Sequence, residues 1–188
     1  MRRKEKDVQS RESIKRFAEE VFSVVAMRFG EKARDIAWMT ESQNSFEEWC
    51  GWEAWLACTE NFAWDVYAKP QYSQFGVPGT EAGDWLVNDK HGNRLLVELG
   101  IIHDGTGPSA WSEKCDGDRA KLRRVVDKIP GLHLVLVTSL LHEDIATADD
   151  WLKRWSRLQC WNIDTTLKYS ARFPEKGQMH LRGWLIDE

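Results

Sequence analysis

A hairpin pattern in the middle of the chain most constrains how the chain can fold. Residues 85–87 and 95–102 have the apolar composition of two short strands, and the Lys-His-Gly-Asn stretch at residues 90–93 carries turn-forming residues. The pattern predicts an antiparallel pair of strands. Because Asp84 stands directly before the first strand and Glu98 lies within the second, folding of this hairpin brings two distant carboxylates together.

Glu98 is the more unusual of the two carboxylates. Side chains alternate along a strand, so Glu98 and Gly100 share one face while Val97 and Leu99 share the other. Apolar neighbours on both sides indicate a buried strand, where a carboxylate is costly unless it is paired, hydrogen-bonded or metal-bound. A buried ion pair with Arg94, or with an arginine of the next helix, is one interpretation. Ligation of a divalent cation is the other.

Asp84 also has two interpretations. It follows a glycine, so it could simply cap the start of a strand. Together with Glu98 it could instead hold Mg²⁺, which prefers one or two carboxylates plus waters. Hydrolysis of a phosphodiester needs such a cation, because the cation neutralises developing charge and lowers the pKa of water.

The pair His103 and Asp104 after the second strand is either a base with its orienting carboxylate or a loop feature.

The remaining pattern predicts an α/β fold in which helices flank a mixed central sheet. The apolar spacing at residues 12–29 is helical, and a capping box at residues 45–48 predicts the start of a second helix. The predicted elements are, in order, helices at 12–29 and 46–60, a strand at 62–68, the hairpin, a helix at 110–129, a buried strand at 132–141, a helix at 148–158, and strands at 161–169 and 179–186.

In this order of elements, with these two acids, the chain resembles the PD-(D/E)XK nuclease superfamily, the restriction-endonuclease-like fold. Residues 46–141 carry the resemblance: Gly83-Asp84 stands where the family has Pro-Asp, and Glu98-Leu99-Gly100 stands where it has (D/E)XK. The resemblance implies that Asp84 and Glu98 bind Mg²⁺ or Mn²⁺. It also implies an accessory ligand from the preceding helix, for which Glu53 is preferred over Glu48.

The chain departs from the family pattern at Gly100, where the family usually has the lysine that assists the attacking water. The resemblance implies that a displaced lysine from the following helix, Lys121 or Lys114, takes this role. The expected catalytic set is then Asp84 and Glu98 with one of these lysines. Without such a replacement, the fold remains as a binding surface.

Charge is divided unevenly along the chain. The net charge is -4, but residues 35–118 carry four Lys/Arg and fifteen Asp/Glu. This excludes a uniformly basic nucleic-acid footprint, and it suits either a bound cation or a basic partner. The length predicts a single domain over residues 1–188, with a helical extension at 1–45, the core at 46–141, and a helix and strands at 142–188.

Two functions from different classes follow. The first is a Mg²⁺-dependent nuclease that hydrolyses phosphodiester bonds of DNA or RNA. The second is a catalytically inactive binding protein on the same fold, such as an immunity protein or antitoxin, that docks a basic protein partner.

Because no run of about 18 apolar residues occurs, we expect no membrane span and a cytoplasmic location. The four cysteines form no CxxC pair and are expected to be ordinary thiols.

Overall fold

The computed structural model describes residues 2–42, 44–61, 63–103, 108–140, 167–174 and 177–187. Within them, helices lie on both faces of a mixed six-stranded sheet, so the predicted α/β class is confirmed. The elements are, in chain order, α1 (Arg2–Glu31), α2 (Ala33–Ser42), α3 (Glu47–Thr59), β1 (Trp64–Ala68), a 3₁₀ turn (Tyr72–Phe75), β2 (Trp85–Asp89), β3 (Arg94–His103), α4 (Pro108–Val125), β4 (Gly131–Ser139), β5 (Leu167–Arg172) and β6 (Gln178–Ile186).

The strand order in the sheet is β1-β2-β3-β4-β6-β5. Strands β3 and β4 run parallel, and every other neighbouring pair is antiparallel. A parallel pair needs a crossover connection, which α4 supplies by packing on β3 and β4. In the register of the sheet, Trp85 lies opposite Val97 and Glu98 lies opposite His133. The hairpin and the crossover helix therefore meet around the middle of β3.

The alternation of side chains along β3 separates two apolar cores. Val97 and Leu99 belong to the larger core, which α1 and α3 cover. Leu96 packs in the smaller core with Leu122 of α4. Glu98 shares the face of Leu96, so the one acidic residue of β3 points towards α4 rather than towards α1.

Helix α1 covers the larger core with a single apolar stripe. Phe17, Val21, Val25 and Phe29 lie three or four residues apart and are all buried, as expected for the inner face of a surface helix. The helix extends beyond the predicted range of residues 12–29 at both ends. In the described part of the chain, no helix is both long and apolar enough to cross a membrane.

Some predicted elements differ from the structure. The hairpin, the helix after it and the buried strand lie within a few residues of their predicted positions. The predicted capping box at residues 45–48 is wrong, because α3 has Phe46 at its N-cap and no side chain caps it. Helix α2 has no counterpart among the predicted elements, since it buries only Ile36 and Thr40. The predicted helix at 148–158 and the first part of the predicted strand at 161–169 lie outside the described residues.

Candidate functional site

Asp84 is held by the backbone of the strand that carries Glu98. Its amide donates a hydrogen bond to the Val97 carbonyl at 3.1 Å, and its Oδ2 accepts one from the Leu99 amide at 2.8 Å. Its Oδ1 accepts a hydrogen bond from Lys69 Nζ at 2.7 Å. The Asp84 carboxylate is therefore fixed beside the residue that follows Glu98, as folding of the hairpin predicts.

Glu98 is a buried carboxylate, only 3 % exposed, whose Oε1 accepts a hydrogen bond from the Tyr72 hydroxyl at 2.6 Å. Burial raises the pKa of Glu98 to about 8, and the nearby Asp84 and Asp118 carboxylates add to the rise. The Tyr72 hydrogen bond and the Lys121 ammonium lower this pKa, but by less. Near neutral pH, Glu98 thus holds a proton that a nearby positive charge would displace.

Asp118 is the third carboxylate of the cluster, and it comes from α4. It is buried, and its Oδ1 accepts a hydrogen bond from Lys121 Nζ at 2.8 Å. Lys114 Nζ lies 3.9 Å from its Oδ2, which is buried and has no hydrogen-bond donor among the described residues. A buried oxygen left without a donor costs stability, so this side of Asp118 suits a cationic or hydrogen-donating ligand.

Glu47, at the start of α3, is the fourth carboxylate. Its side chain accepts a hydrogen bond from Lys114 Nζ at 2.8 Å. Burial raises its pKa, the Lys114 ammonium lowers it, and the Asp84 and Asp118 carboxylates raise it further. Because Asp84 and Asp118 raise the pKa of both Glu47 and Glu98, the four carboxylates form one electrostatic cluster.

Three lysines accompany the four carboxylates: Lys69, Lys114 and Lys121. Partial burial lowers the pKa of each ammonium, but the neighbouring carboxylates outweigh burial and leave each pKa raised. Each lysine therefore carries its charge throughout the physiological range. We call these four carboxylates and three lysines the acidic cluster.

The structure brings together Asp84, Glu98, Lys114 and Lys121, the four residues expected to be catalytic. It places Glu53, the expected accessory ligand, elsewhere. The Glu53 carboxylate lies 3.5 Å from Arg28 of α1 and 3.4 Å from Lys32, so it ties α3 to the helical extension. The residues of α3 that face Asp84 are on a different side of that helix.

Glu47 is thus the α3 carboxylate beside Asp84, and neither it nor Lys69 nor Tyr72 is a candidate from the sequence alone. A helical-wheel argument points to Glu47, because it stands four residues before Gly51, which faces the same cleft. No comparable signal exists for Lys69 and Tyr72. They flank Pro70 in an irregular connection, whose path the sequence pattern does not specify.

The donor set of the acidic cluster consists of oxygen atoms, which Mg²⁺ and Mn²⁺ favour. Among the described residues, no group of three or more His, Cys, Asp or Glu side chains lies in a metal-binding arrangement. Asp84, Glu47 and Asp118 instead pair with lysines, and Glu98 pairs with Tyr72. Glu98, whose ionised form is disfavoured by burial, and Asp118 Oδ2, which has no hydrogen-bond donor among the described residues, nevertheless fit a cation, since a positive charge would stabilise both groups.

Gly100, which replaces the family lysine, faces the same region. A Cβ added there would lie 3.8 Å from Cys115 Sγ, 3.9 Å from His133 Nε2 and 4.0 Å from Asp118 Oδ2, all ordinary contact distances. A side chain at position 100 would therefore approach Cys115, His133 and the Asp118 carboxylate. Lys121 binds the other oxygen of that carboxylate, Oδ1, from α4.

A cleft of ≈ 260 Å³ opens beside Asp84, between α3 and the strands β1 and β2. Its lining combines charged residues with aromatic and small ones. Trp52 is 49 % exposed here. The lining residues are Glu47, Glu48, Gly51, Trp52, Trp55, Ala68, Lys69, Asp84, Trp85 and Leu99.

Comparison with known proteins adds no relative from which a function could be transferred. No protein-family model matches the chain, and neither a curated protein nor a solved structure matches it significantly. The geometry of the acidic cluster and of the neighbouring cleft is therefore the basis for a function.

Proposed function

We propose that this protein is a Mg²⁺- or Mn²⁺-dependent nuclease in which Asp84 and Glu98 are the metal ligands. The observation that carries the proposal is that the fold brings these two carboxylates close enough for Asp84 to raise the pKa of Glu98. Asp84 is hydrogen-bonded to the backbone next to Glu98, and Glu98 is buried with a pKa raised to about 8 partly by Asp84. Asp84 and Glu98 would hold a divalent cation, whose charge would offset both the burial cost and the repulsion.

The topology supports a PD-(D/E)XK-like core. Helix α3, the antiparallel strands β1, β2 and β3, helix α4 and the parallel strand β4 follow one another as that family would require. That Asp84 directly precedes β2 and Glu98 lies within β3 is a further observation that supports the resemblance. Asp118 or Glu47 completes the set of oxygen ligands.

The lysines supply the positive charge that Gly100 does not. Lys121 is hydrogen-bonded to Asp118 and lowers the pKa of Glu98, so its ammonium stabilises the ionised form of this proposed metal ligand. Lys114 lies between Glu47 and Asp118. In the proposed reaction these ammonium groups hold a phosphate oxygen and orient the attacking water. A bound Mg²⁺ would neutralise charge on the phosphoryl group and make a bound water more acidic.

The proposal is tested by incubating purified protein with labelled single-stranded and duplex DNA and with RNA, in Mg²⁺, Mn²⁺ or EDTA. We expect cleavage that requires the divalent cation and falls at least 100-fold in Asp84→Ala. Asp65→Ala, which removes an exposed carboxylate from β1, is the matched control and should cleave like the wild type. Absence of cation-dependent cleavage, or equal cleavage by Asp84→Ala, contradicts the proposal.

A second function is an inactive protein on this fold that docks a basic partner. The observation that favours it is that each carboxylate of the acidic cluster accepts a hydrogen bond from a lysine or tyrosine on one of its oxygens, so each has a partner without a metal. This function predicts no heat of Mg²⁺ or Mn²⁺ binding in calorimetry. Cation binding that Glu98→Ala abolishes excludes it.

A further inference from the structure

Trp52 is an aromatic side chain that the fold leaves half exposed at the cleft. It lies on α3 and its ring contacts Trp55 edge to face, with centroids 5.5 Å apart and planes at 88°. An edge-to-face contact of this kind fixes the orientation of the ring and leaves a face of the indole available. A large flat apolar surface held at the mouth of a cleft suits a flat ligand.

The surroundings of Trp52 favour a ligand that is apolar at one end and anionic at the other. Gly51 carries no side chain, and a Cβ added there would meet nothing within 4 Å, so the cleft is open next to the indole. Ala68 and Leu99 form an apolar part of the lining. The exposed Lys69 also lines the cleft, and its ammonium is hydrogen-bonded to Asp84.

We propose that this cleft takes the base of an unpaired nucleotide, stacked on Trp52, and that the substrate is therefore single-stranded nucleic acid. The inference rests on the proposed nuclease function and names its substrate class. In a duplex, the faces of the bases are covered by their neighbours in the stack, so only an unpaired base can present its face to a tryptophan. The phosphate next to that base then lies at Lys69 and the acidic cluster.

A cationic side chain of a partner protein can also stack on tryptophan. The charges in the cleft disfavour it. Two of the three carboxylates that line the cleft, Asp84 and Glu47, already bind the ammonium groups of Lys69 and Lys114, and the third, Glu48, is exposed to solvent, which screens its attraction. These two ammonium groups repel an arriving cation and attract an arriving phosphate.

The test measures binding rather than cleavage, so that it is independent of catalysis. Fluorescence anisotropy follows labelled 12-nucleotide single-stranded DNA and RNA, the matching duplexes, and a single strand with abasic sites, all in Ca²⁺. For Trp52→Leu we expect roughly tenfold weaker binding of the intact single strand, because stacking on one aromatic contributes that much or more. The abasic strand should bind wild type and Trp52→Leu equally.

Two further variants separate stacking from folding. Trp52→Phe keeps an aromatic face and should bind the single strand within about threefold of the wild type. Trp38→Leu is the matched control, because Trp38 is similarly exposed on α2, where it packs with Arg34 away from the cleft. Circular dichroism and thermal unfolding check that every variant is folded.

Several results overturn the inference: no binding of single strands, equal binding of duplex and single strand, unchanged binding by Trp52→Leu, or Trp52-dependent binding of an arginine-rich peptide instead. If cleavage is cation-dependent while Trp52→Leu binds normally, the substrate inference fails and the nuclease function stands. If single strands bind through Trp52 but no cleavage occurs, the nuclease function fails and the base-binding cleft stands.

Discussion

Replacement of Glu98 by glutamine should make the metal-free protein more stable at alkaline pH and not at acid pH. The pKa of Glu98 is raised to about 8 in the folded chain from an ordinary value of 4.5. Below pH 4.5 both folded and unfolded chains carry the proton, so the carboxyl costs nothing extra. As pH rises through the interval to 8, the unfolded chain loses the proton first and stability falls.

The size of the effect follows from the same shift. One pKa unit corresponds to about 1.4 kcal/mol. Between pH 5 and pH 8.5, the free energy of unfolding of the wild type should therefore lose about 4 kcal/mol through Glu98 alone. A buried glutamine keeps an acceptor for the Tyr72 hydroxyl but adds an amide group that needs partners, which costs roughly 1–3 kcal/mol at any pH. This cost is the same at both pH values, so it cancels when the stability of Glu98→Gln relative to wild type at pH 5 is subtracted from that at pH 8.5.

Urea unfolding of wild type and Glu98→Gln in EDTA, at pH 5 and pH 8.5, measures the difference. We expect the stability of Glu98→Gln relative to wild type to increase by about 4 kcal/mol from the lower to the higher pH. Glu41→Gln, which changes an exposed carboxylate on α2, should show no such change. A relative stability that is the same at both pH values would refute the reasoning that Glu98 is a buried, strained carboxylate.

Three other predictions concern neighbouring residues. Tyr72→Phe removes the hydrogen bond that lowers the pKa of Glu98, so its stability should fall further than that of the wild type between pH 5 and pH 8.5 in the same urea assay. In thermal unfolding, the free energy of unfolding of Gly100→Ala should lie within about 1 kcal/mol of the wild-type value, because the added Cβ has ordinary contacts. That of Gly131→Ala should be lower by about 1–3 kcal/mol, because its Cβ would lie 2.9 Å from a leucine of α4. Lys121→Gln should cut cation-dependent cleavage at least tenfold while leaving Mn²⁺ binding measurable by calorimetry, because its ammonium neutralises charge without ligating the metal.

The hairpin and the pair Asp84 and Glu98 could be predicted from sequence because they depend on local rules. Strand alternation and turn composition determine which residues share a face, and the observed register follows them. The positions of Lys114 and Lys121 on the crossover helix follow from the same rules. Both reach the acidic cluster because α4 packs on the face of β3 that carries Glu98.

The rest of the site depends on tertiary packing that the sequence pattern does not encode. The sequence pattern favours Glu53 over Glu48 without defining the rotation of the helix, and the position of α1, with Arg28, decides that Glu53 faces away from Asp84. Trp52 has the composition of a core residue, yet it lies on the side of α3 that lines the cleft and is half exposed. Hydrophobic periodicity is weak in a helix with this many tryptophans, so it does not identify the open side.

Calorimetric titration of Mn²⁺ into the wild type, Asp84→Asn and Glu98→Gln at pH 7, in two buffers of different ionisation enthalpy, tests the metal site most directly. Because Glu98 is mostly protonated at pH 7, we expect the wild type to bind the cation and to release close to one proton on binding. Both variants should bind at least tenfold more weakly, and Glu98→Gln should release no proton. No Mn²⁺ binding by the wild type, or binding that neither variant weakens, would contradict the assignment of Asp84 and Glu98 as metal ligands.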